Sequence, residues 1–500
     1  MKRLFLIVAL TATVAGIRGQ DNGFWMGPES HELEADMMVN AHYLGVLEGL
    51  DVWLTRSDKG VKGFVNKRDW HVVKFTEEML PMERVELPWS QHCQVLGAVG
   101  AEKNINGIHR ASVLMVDSSA MGKTAILRAR LSLDMMRLEG GKLDTVDTYV
   151  FGRKDLCRVW GAVSPNGKYV GVLTIVQYME SHEYMAVAKV FDENLKQVWV
   201  KDFAVGATNG IYLDDDGTMY TLGCERAKNG SRFVMSVMNK AGANTFGVLM
   251  ECDPVHDVEI VNVTEGNVLC TGLFTLLTAE PGMDLTSGVV TMSFNVDSTQ
   301  MEGFSMRFFQ NEDMNIMLNK KTKKIQTERD MSMVAPLGSL RMPYGAVMVV
   351  GHHHALHRTN PNGTRDDSWY AVGLHLVAFN ANGTLKWVRN IRRNDMTDLA
   401  DEWLNLHLFA VGDKVCLLKN ESIKEPQEYI IADEIREYEV GDKSNLVMYT
   451  ITAEGNVKKT ILEQETKHAL ANIGHRDDGS LLLLSARGSK CRMAKLKLDK

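Results

Sequence analysis

The densest set of groups able to do chemistry is an imidazole run. His352, His353, His354 and His357 stand together, with His375, Asp366 and Asp367 close by in the chain. Neutral imidazole suits zinc, copper or nickel. If the preceding apolar run continues as a strand, His352 and His354 share one side of it, so two imidazoles converge. His352, His354 and His357 are therefore the candidate ligands for a divalent metal, and Trp369, Asp366 and Asp367 are candidate binding residues in the same stretch. No H-E-x-x-H spacing accompanies them, and a polar loop leaving a strand accounts for the same residues. Two other stretches imitate known sites. Ser118-Ser119-Ala120-Met121-Gly122-Lys123-Thr124 ends like a phosphate loop, but Asp117 stands where the first glycine belongs and the context is a bend between strands. Asp214-Asp215-Asp216-Gly217 begins like a calcium loop and lacks the distant glutamate, so a hairpin turn explains it. No G-x-S-x-G is present, which removes a serine hydrolase of the α/β type.

The elements that must position these residues are strands. One hairpin recurs as 188–202 (AKVFDENLKQVWVKD) and 377–390 (VAFNANGTLKWVRN), with weaker copies at 72–87, 113–131, 234–249, 290–308 and 447–462. A second hairpin alternates with it. It turns at Ser164-Pro165-Asn166-Gly167-Lys168, Asp215-Asp216-Gly217-Thr218 and Asp477-Asp478-Gly479-Ser480, and more briefly at 264–267 and 411–413. Asn-Gly and Asp-Gly between apolar runs mark hairpins because glycine accepts the positive φ the turn requires. The repeating unit is thus four antiparallel strands. Helical periodicity is confined to 30–38 and 396–404. These features predict an all-β protein, a β-propeller of seven or eight four-stranded antiparallel blades. Near residue 500 the last sheet has strands at 481–485 and 491–498 but no fourth. An open edge is a liability, so a strand from the segment 20–40 is expected to close the ring, with the propeller occupying 41–500.

Strands named A to D outward from the centre give two kinds of connection. The A–B and C–D bends are tight. The longer connections are read as B–C (101–110, 278–287, 351–369, 420–445) and D–A (310–329, 389–405), which emerge on one rim. Long loops on a rigid scaffold commonly carry function.

Composition bounds the rest. Apolar residues make up 45% and charged residues 24%, which excludes a disordered or collagen-like chain. Lys2 and Arg3 precede a short apolar run, 4–15, with Gly16 and Gly19 after it. This reads as a secretory signal over 1–19, implying a secreted or periplasmic protein with no transmembrane segment once it is removed. Removal takes three basic residues and no acid, leaving 53 bases against 63 acids, so net charge moves from -7 to -10. Such a chain is a poor partner for nucleic acid. The basic run Lys320, Lys321, Lys323, Lys324 and Arg329 reads as a solvated loop. Seven cysteines include no C-x-x-C pair. Most sit in strand-like runs as small core residues, and one or two disulfides are compatible with an oxidising compartment. The 29 methionines read as core filling, and Trp160, Trp199, Trp387 and Trp403 as blade packing, with one of them open to use as a ligand platform at the rim.

The turn Ser164-Pro165-Asn166-Gly167-Lys168-Tyr169 resembles the S-P-D-G-K turn of bacterial periplasmic propellers. Residues 266–274 and 374–391 are similar to blade starts in secreted bacterial β-propeller proteins of unassigned function. The resemblance implies the fold and an exported location, and no catalytic residues come with it. The S-x-D-x-G-x-T-W box of sialidase-like blades is absent, as are the adjacent cysteine pair and tryptophan repeats of quinone-cofactor enzymes. The expected function is a binding or scaffold module recognising a protein or glycan partner through its long-loop face. The alternative is a propeller hydrolase or lyase that uses a metal at the imidazole run.

Overall fold

The computed structural model describes residues 23–498 other than 62–63, 91, 104–108, 121, 182, 204–207, 209, 229, 253–254, 278–283, 319–333, 360–364, 399–400, 405 and 427–437. At 58–61, 64–68, 100–103, 119–120, 226, 276–277, 284–285, 318, 354, 356–359, 365–367 and 401–402 only the backbone is described. The chain forms an eight-bladed β-propeller. Blades 1 to 7 span 41–87, 93–150, 156–203, 211–250, 255–308, 334–397 and 407–466. Blade 8 takes 469–497 and borrows its outermost strand from the N-terminal segment, where Phe24–Met26 pairs antiparallel with 494–496. A bridge between Ser30 and Cys491 extends that contact. The expected closure is therefore the observed one, and the blade number is eight.

Apolar alternation builds the body. Each twisted sheet has two faces to bury, and each stacks against its neighbours. One apolar cluster fills each seam between blades: Val113, Met115 and Trp70 between blades 1 and 2, Phe233 and Phe294 between 4 and 5, Leu417 and Val349 between 6 and 7. The methionines take the core-filling role. Met37, Met38, Met115, Met235, Met292, Met348 and Met493 are all buried, their unbranched side chains filling irregular gaps. None of the seven cysteines is joined in a disulfide, and Cys93, Cys270, Cys416 and Cys491 are buried. Burial raises the thiol pKa of Cys93 and Cys416 to about 11 and that of Cys491 to about 12.

The tight turns lie where the sequence puts them, and they are tied together. Asn166 in the A–B turn of blade 3 donates its backbone N–H to Asp215 Oδ1 (2.8 Å) in the matching turn of blade 4. Asp214 and Asp216 cap backbone N–H groups of that same turn, which uses up the carboxylates of the calcium-like stretch. Trp199 Nε1 donates to the Gly217 carbonyl (3.0 Å), and Trp387 Nε1 to the Ala453 carbonyl (3.1 Å). Gly455, at φ +83°, shows why glycine is needed there: a Cβ would lie 2.9 Å from the Trp387 ring.

Two expectations change. Blade 2 is shifted by one strand, because His109–Ala120 is its strand B and Lys123–Ser132 its strand C. The connection at 101–110 is thus A–B, not B–C, and the hairpin 113–131 is B–C, not C–D. The cause is a detour through Arg137–Leu138 before strand D, Asp144–Val150; a hairpin's sequence does not label its place in the blade. The phosphate-loop imitation falls on this hairpin, so no helix follows it. Secondly, much of 351–369 and 389–405 is strand. Strand B of blade 6 runs Gly345–Thr359, strand C Arg365–Asn380 and strand D Leu385–Thr397. The helix-like stretches supply Ala35–Val39 and a 3-10 turn, Asp401–Leu404, while Asn311–Leu318 forms a helix inside an expected loop. The basic run at 320–329 lies outside the described residues.

Candidate functional site

Like blade 1, whose strands B and C pair on from Ser57 and Asp69 beyond their neighbours, blade 6 carries a ribbon that extends past its own sheet. Its strand A ends in register with His352 (opposite Val334) and its strand D with Trp369 (opposite Thr397). Beyond Ala355 and Trp369, strands B and C pair only with each other among the described residues, reaching Thr359 opposite Arg365. The imidazole run is therefore part of a continuous ribbon. His352 is buried, and His353 is half-buried beside Trp369, ring centroids 6.4 Å apart. The backbone puts His357 opposite Asp367 and Arg358 opposite Asp366. The side chains of His354, His357, Asp366 and Asp367 lie outside the described residues. Among the described residues no group of three or more His, Cys, Asp or Glu could hold a metal ion. His375 is apart from the run and fully buried. Its Nδ1 is 2.7 Å from Asn390 Oδ1 and 3.4 Å from Asp313 Oδ1, so it ties the Asn311–Leu318 helix to the blade. Burial holds its pKa below the ordinary histidine range.

Next to this ribbon lies a feature the sequence reading missed. The seam between blades 6 and 7 holds a buried ionic network from strand D of blade 6 and strands B (Lys414–Ser422) and D (Val457–Thr466) of blade 7. Arg393 Nε donates to Asp395 Oδ2 at 2.7 Å, and Arg392 Nη1 to Glu425 Oε2 at 2.7 Å. Lys419 donates to the Arg392 carbonyl (3.0 Å) and stands 3.8 Å from both Asp395 and Glu421. Glu421 also accepts from Lys459 and from the Tyr449 hydroxyl. These seven charged side chains are only 3–9% exposed. Desolvation, followed by the charge of Glu421, raises the Tyr449 pKa far above its ordinary value. A short strand, Tyr438–Glu439, leaves blade 7 and pairs parallel with Asp395 and Met396, bridging the seam. Asn420 is buried in the same region, bonded to Ser444, the His468 carbonyl and the Leu470 N–H, so this N-x-S sequon is structural. The available signal was the run Lys419-Asn420-Glu421 inside an apolar strand, where charge is costly unless paired.

His407 joins this network to the central channel. A cavity of about 400 Å³ in the channel wall is lined by Leu337, Leu406, His407, Leu408, Asn472 and His475, among others. Burial, then the nearby Arg393 charge, lowers the His407 pKa to about 4, so the ring stays neutral. Asn472 donates to the carbonyls of Val39 and Ala41 (3.0 and 2.8 Å), which ties the channel wall to the closing segment. The arrangement offers a mixed apolar and polar recess beside a rigid rim, suited to binding.

No protein-family profile matches the chain, and no curated protein matches it by sequence. Solved structures do. The chain is similar to the β-propeller domain of the trilobed protease from Pyrococcus furiosus, at 8% identity over 85% of this chain and 97% of that one, TM-score 0.32. It is also similar to the polysaccharide lyase Uly1, at 10% identity over 94% and 99% of the two chains, TM-score 0.36. Against the acylaminoacyl peptidase of Pyrococcus horikoshii the figures are 9% identity, 91% and 59% coverage and TM-score 0.34, so the chain spans about three-fifths of that enzyme. None of these likenesses carries an activity to this chain.

Among the described residues no helix is long and apolar enough to cross a membrane. Of the expected blade-packing tryptophans, Trp199 and Trp387 are buried at seams, while Trp160 and Trp403 are half-buried against them. At the base of the projecting ribbon Trp369 stands beside the His353 imidazole.

Proposed function

We propose that this propeller is an exported binding module whose protein or glycan partner docks on the rim carrying the blade 6 ribbon. The observation that carries this reading is the inequality of the two rims at blades 6 and 7. One ends in short turns such as Asn380–Leu385, while the other bears a ribbon extending past its own sheet, the Asn311–Leu318 helix and the Tyr438–Glu439 bridge. Such projections lie outside the four-stranded sheets, where segments on a rigid scaffold commonly carry function. Trp369 provides an aromatic platform, and Asp366 and Asp367 add acidic groups at the ribbon. Export fits the closing strand, which begins at Phe24 and so survives a cut near Gly19.

The test trims the ribbon beyond its last supported pairs. Residues 356–368, which pair only with one another, are replaced by a short Gly-Ser turn. Thermal unfolding is expected to be unchanged, while binding in a glycan array and in cross-linking to surface proteins is lost. Binding that persists at full strength overturns the assignment of the face. A second reading, a metal-dependent hydrolase or lyase, is favoured by one strand carrying His352 and His354 on the same face, with His357 on the other. Stoichiometric zinc, copper or nickel in the purified protein, lost in His354→Ala, is its expected result; protein free of metal removes it.

A further inference from the structure

We infer that Cys224 and Cys252 join in a disulfide under oxidising conditions, pinning the connection between blades 4 and 5 to the sheet of blade 4. Cys224 lies on strand B of blade 4, Met219–Ala227, and Cys252 follows strand D, Ala243–Met250. Strand register brings them near each other. Strand C, Gly230–Met238, sets Phe233 opposite Cys224 and Ser231 opposite Arg226, so Ser231 is a diagonal neighbour of Cys224 on one face. Strand D sets Met250 opposite the same Ser231. The chain then comes back to that residue. The Val255 N–H donates to Ser231 Oγ at 3.1 Å, and the Val255 carbonyl accepts from the Cys224 thiol at 3.2 Å. The connection carrying Cys252 therefore starts opposite Ser231 and ends on it. Two residues from Met250 and three from Val255 span at most about 7 and 11 Å, so Cys252 stays close to both moorings.

Both cysteines are half-buried against the apolar cluster of the seam between blades 4 and 5. Burial raises the Cys224 pKa to about 12; the Ser231 hydroxyl counters this, and the charge of Cys252 adds to it, so the two sulfurs act on each other. The remaining cysteines are placed differently. Cys93, Cys270, Cys416 and Cys491 are buried, and Cys157 has Thr124 beside its thiol. The oxidant is a small disulfide such as oxidised glutathione. The Cys252 thiolate attacks one of its sulfurs, forming a mixed disulfide and releasing one glutathione thiol. Cys224, kept protonated by burial, reacts second: it yields its proton to water and attacks Cys252 Sγ, releasing the other glutathione. Two electrons pass from the two protein thiols to the reagent, which leaves as two thiols. The pairing is independent of the docking face, and the test needs no export.

The full chain is incubated with oxidised glutathione, unfolded with N-ethylmaleimide already present, and digested without reduction. Mass spectrometry is expected to show one linked pair of peptides, Cys224 with Cys252, and the maleimide count to fall from seven to five. Dithiothreitol is expected to restore seven. Cys252→Ser is expected to keep the Cys224 thiol open to maleimide after the same oxidation. Closing the loop 224–252 restricts the unfolded chain, so the oxidised protein is expected to melt about 3 °C above the reduced one, a difference Cys252→Ser removes. Seven labels after oxidation, a link between any other two cysteines, or glutathione left on Cys252 as a stable mixed disulfide overturns the inference.

Discussion

Two seams of the same ring are held by opposite means. Between blades 8 and 1, the closing segment packs Leu33, Met37, Met38 and Val39 against Trp53, Phe75, Leu482 and Met493, an apolar cluster beside which the ion pair Arg476–Asp51 also crosses the seam. Between blades 6 and 7, the apolar cluster around Val349 and Leu417 is flanked by seven buried charges. The apolar joint gains stability in proportion to area removed from water. The ionic joint gains little net energy over an apolar equivalent, because desolvation offsets attraction, but it tolerates only one arrangement of partners. Strength is therefore concentrated at the closure, and geometric definition beside the projecting rim.

The comparison breaks most visibly if the closing segment is removed. Deleting residues 21–40 strips Phe24, Leu33, Met37, Met38 and Val39 from their sites, each worth about 1.5–3 kcal/mol, and uncovers a strand edge. Calorimetry is expected to show collapse of the folding transition; an unchanged melt would mean the ring does not depend on closure. At the ionic seam, Lys459→Met leaves the Glu421 carboxylate short of a cation and is expected to cost about 3–5 kcal/mol in denaturant unfolding. Adding Glu421→Leu should recover most of that, which a purely steric defect would not permit.

Acid sharpens the contrast further. The folded pKa of His407 is about 4, below the ordinary histidine value, so the folded protein binds fewer protons than the unfolded chain between the two. The stability this gives is full above about pH 6.5 and is lost as pH falls toward 4, an effect of about 3 kcal/mol for so deeply buried a ring. His42, His375, His468 and His475 are shifted in the same direction by burial. His407→Gln should flatten the unfolding free energy across that window; an unaltered slope would place the proton uptake elsewhere. The smallest effect belongs to the tight rim. Trp387→Phe keeps the packing but loses the bond to the Ala453 carbonyl, for about 1 kcal/mol in the same measurement.

The fold was largely legible because its punctuation is local. Asn-Gly and Asp-Gly turns such as 166–167 and 478–479 state their hairpins within a few residues, and the missing fourth strand near Leu498 announced the closure. Blade 2 misled because Ala120 to Lys123 makes as tight a turn as any C–D bend, and nothing in four residues says which strand is innermost. The ionic seam was unreadable for the converse reason. Arg392 and Glu425 come from different blades, so their pairing exists only once the sheets stack, and Lys459 meets Glu421 only across the strand between them in blade 7. For the imidazole run, sequence supplied the residues and the structure supplied a continuous ribbon in place of a loop.

The way blade 8 is completed also sets an order of events. Leu33 receives a hydrogen bond from the Cys491 thiol, 458 positions further along the chain. A ribosome makes the latch long before it makes the catch. Until Cys491 has been made, the emerging polypeptide holds seven potential wedges and no way to lock them into a circle, since contacts so distant in sequence form late.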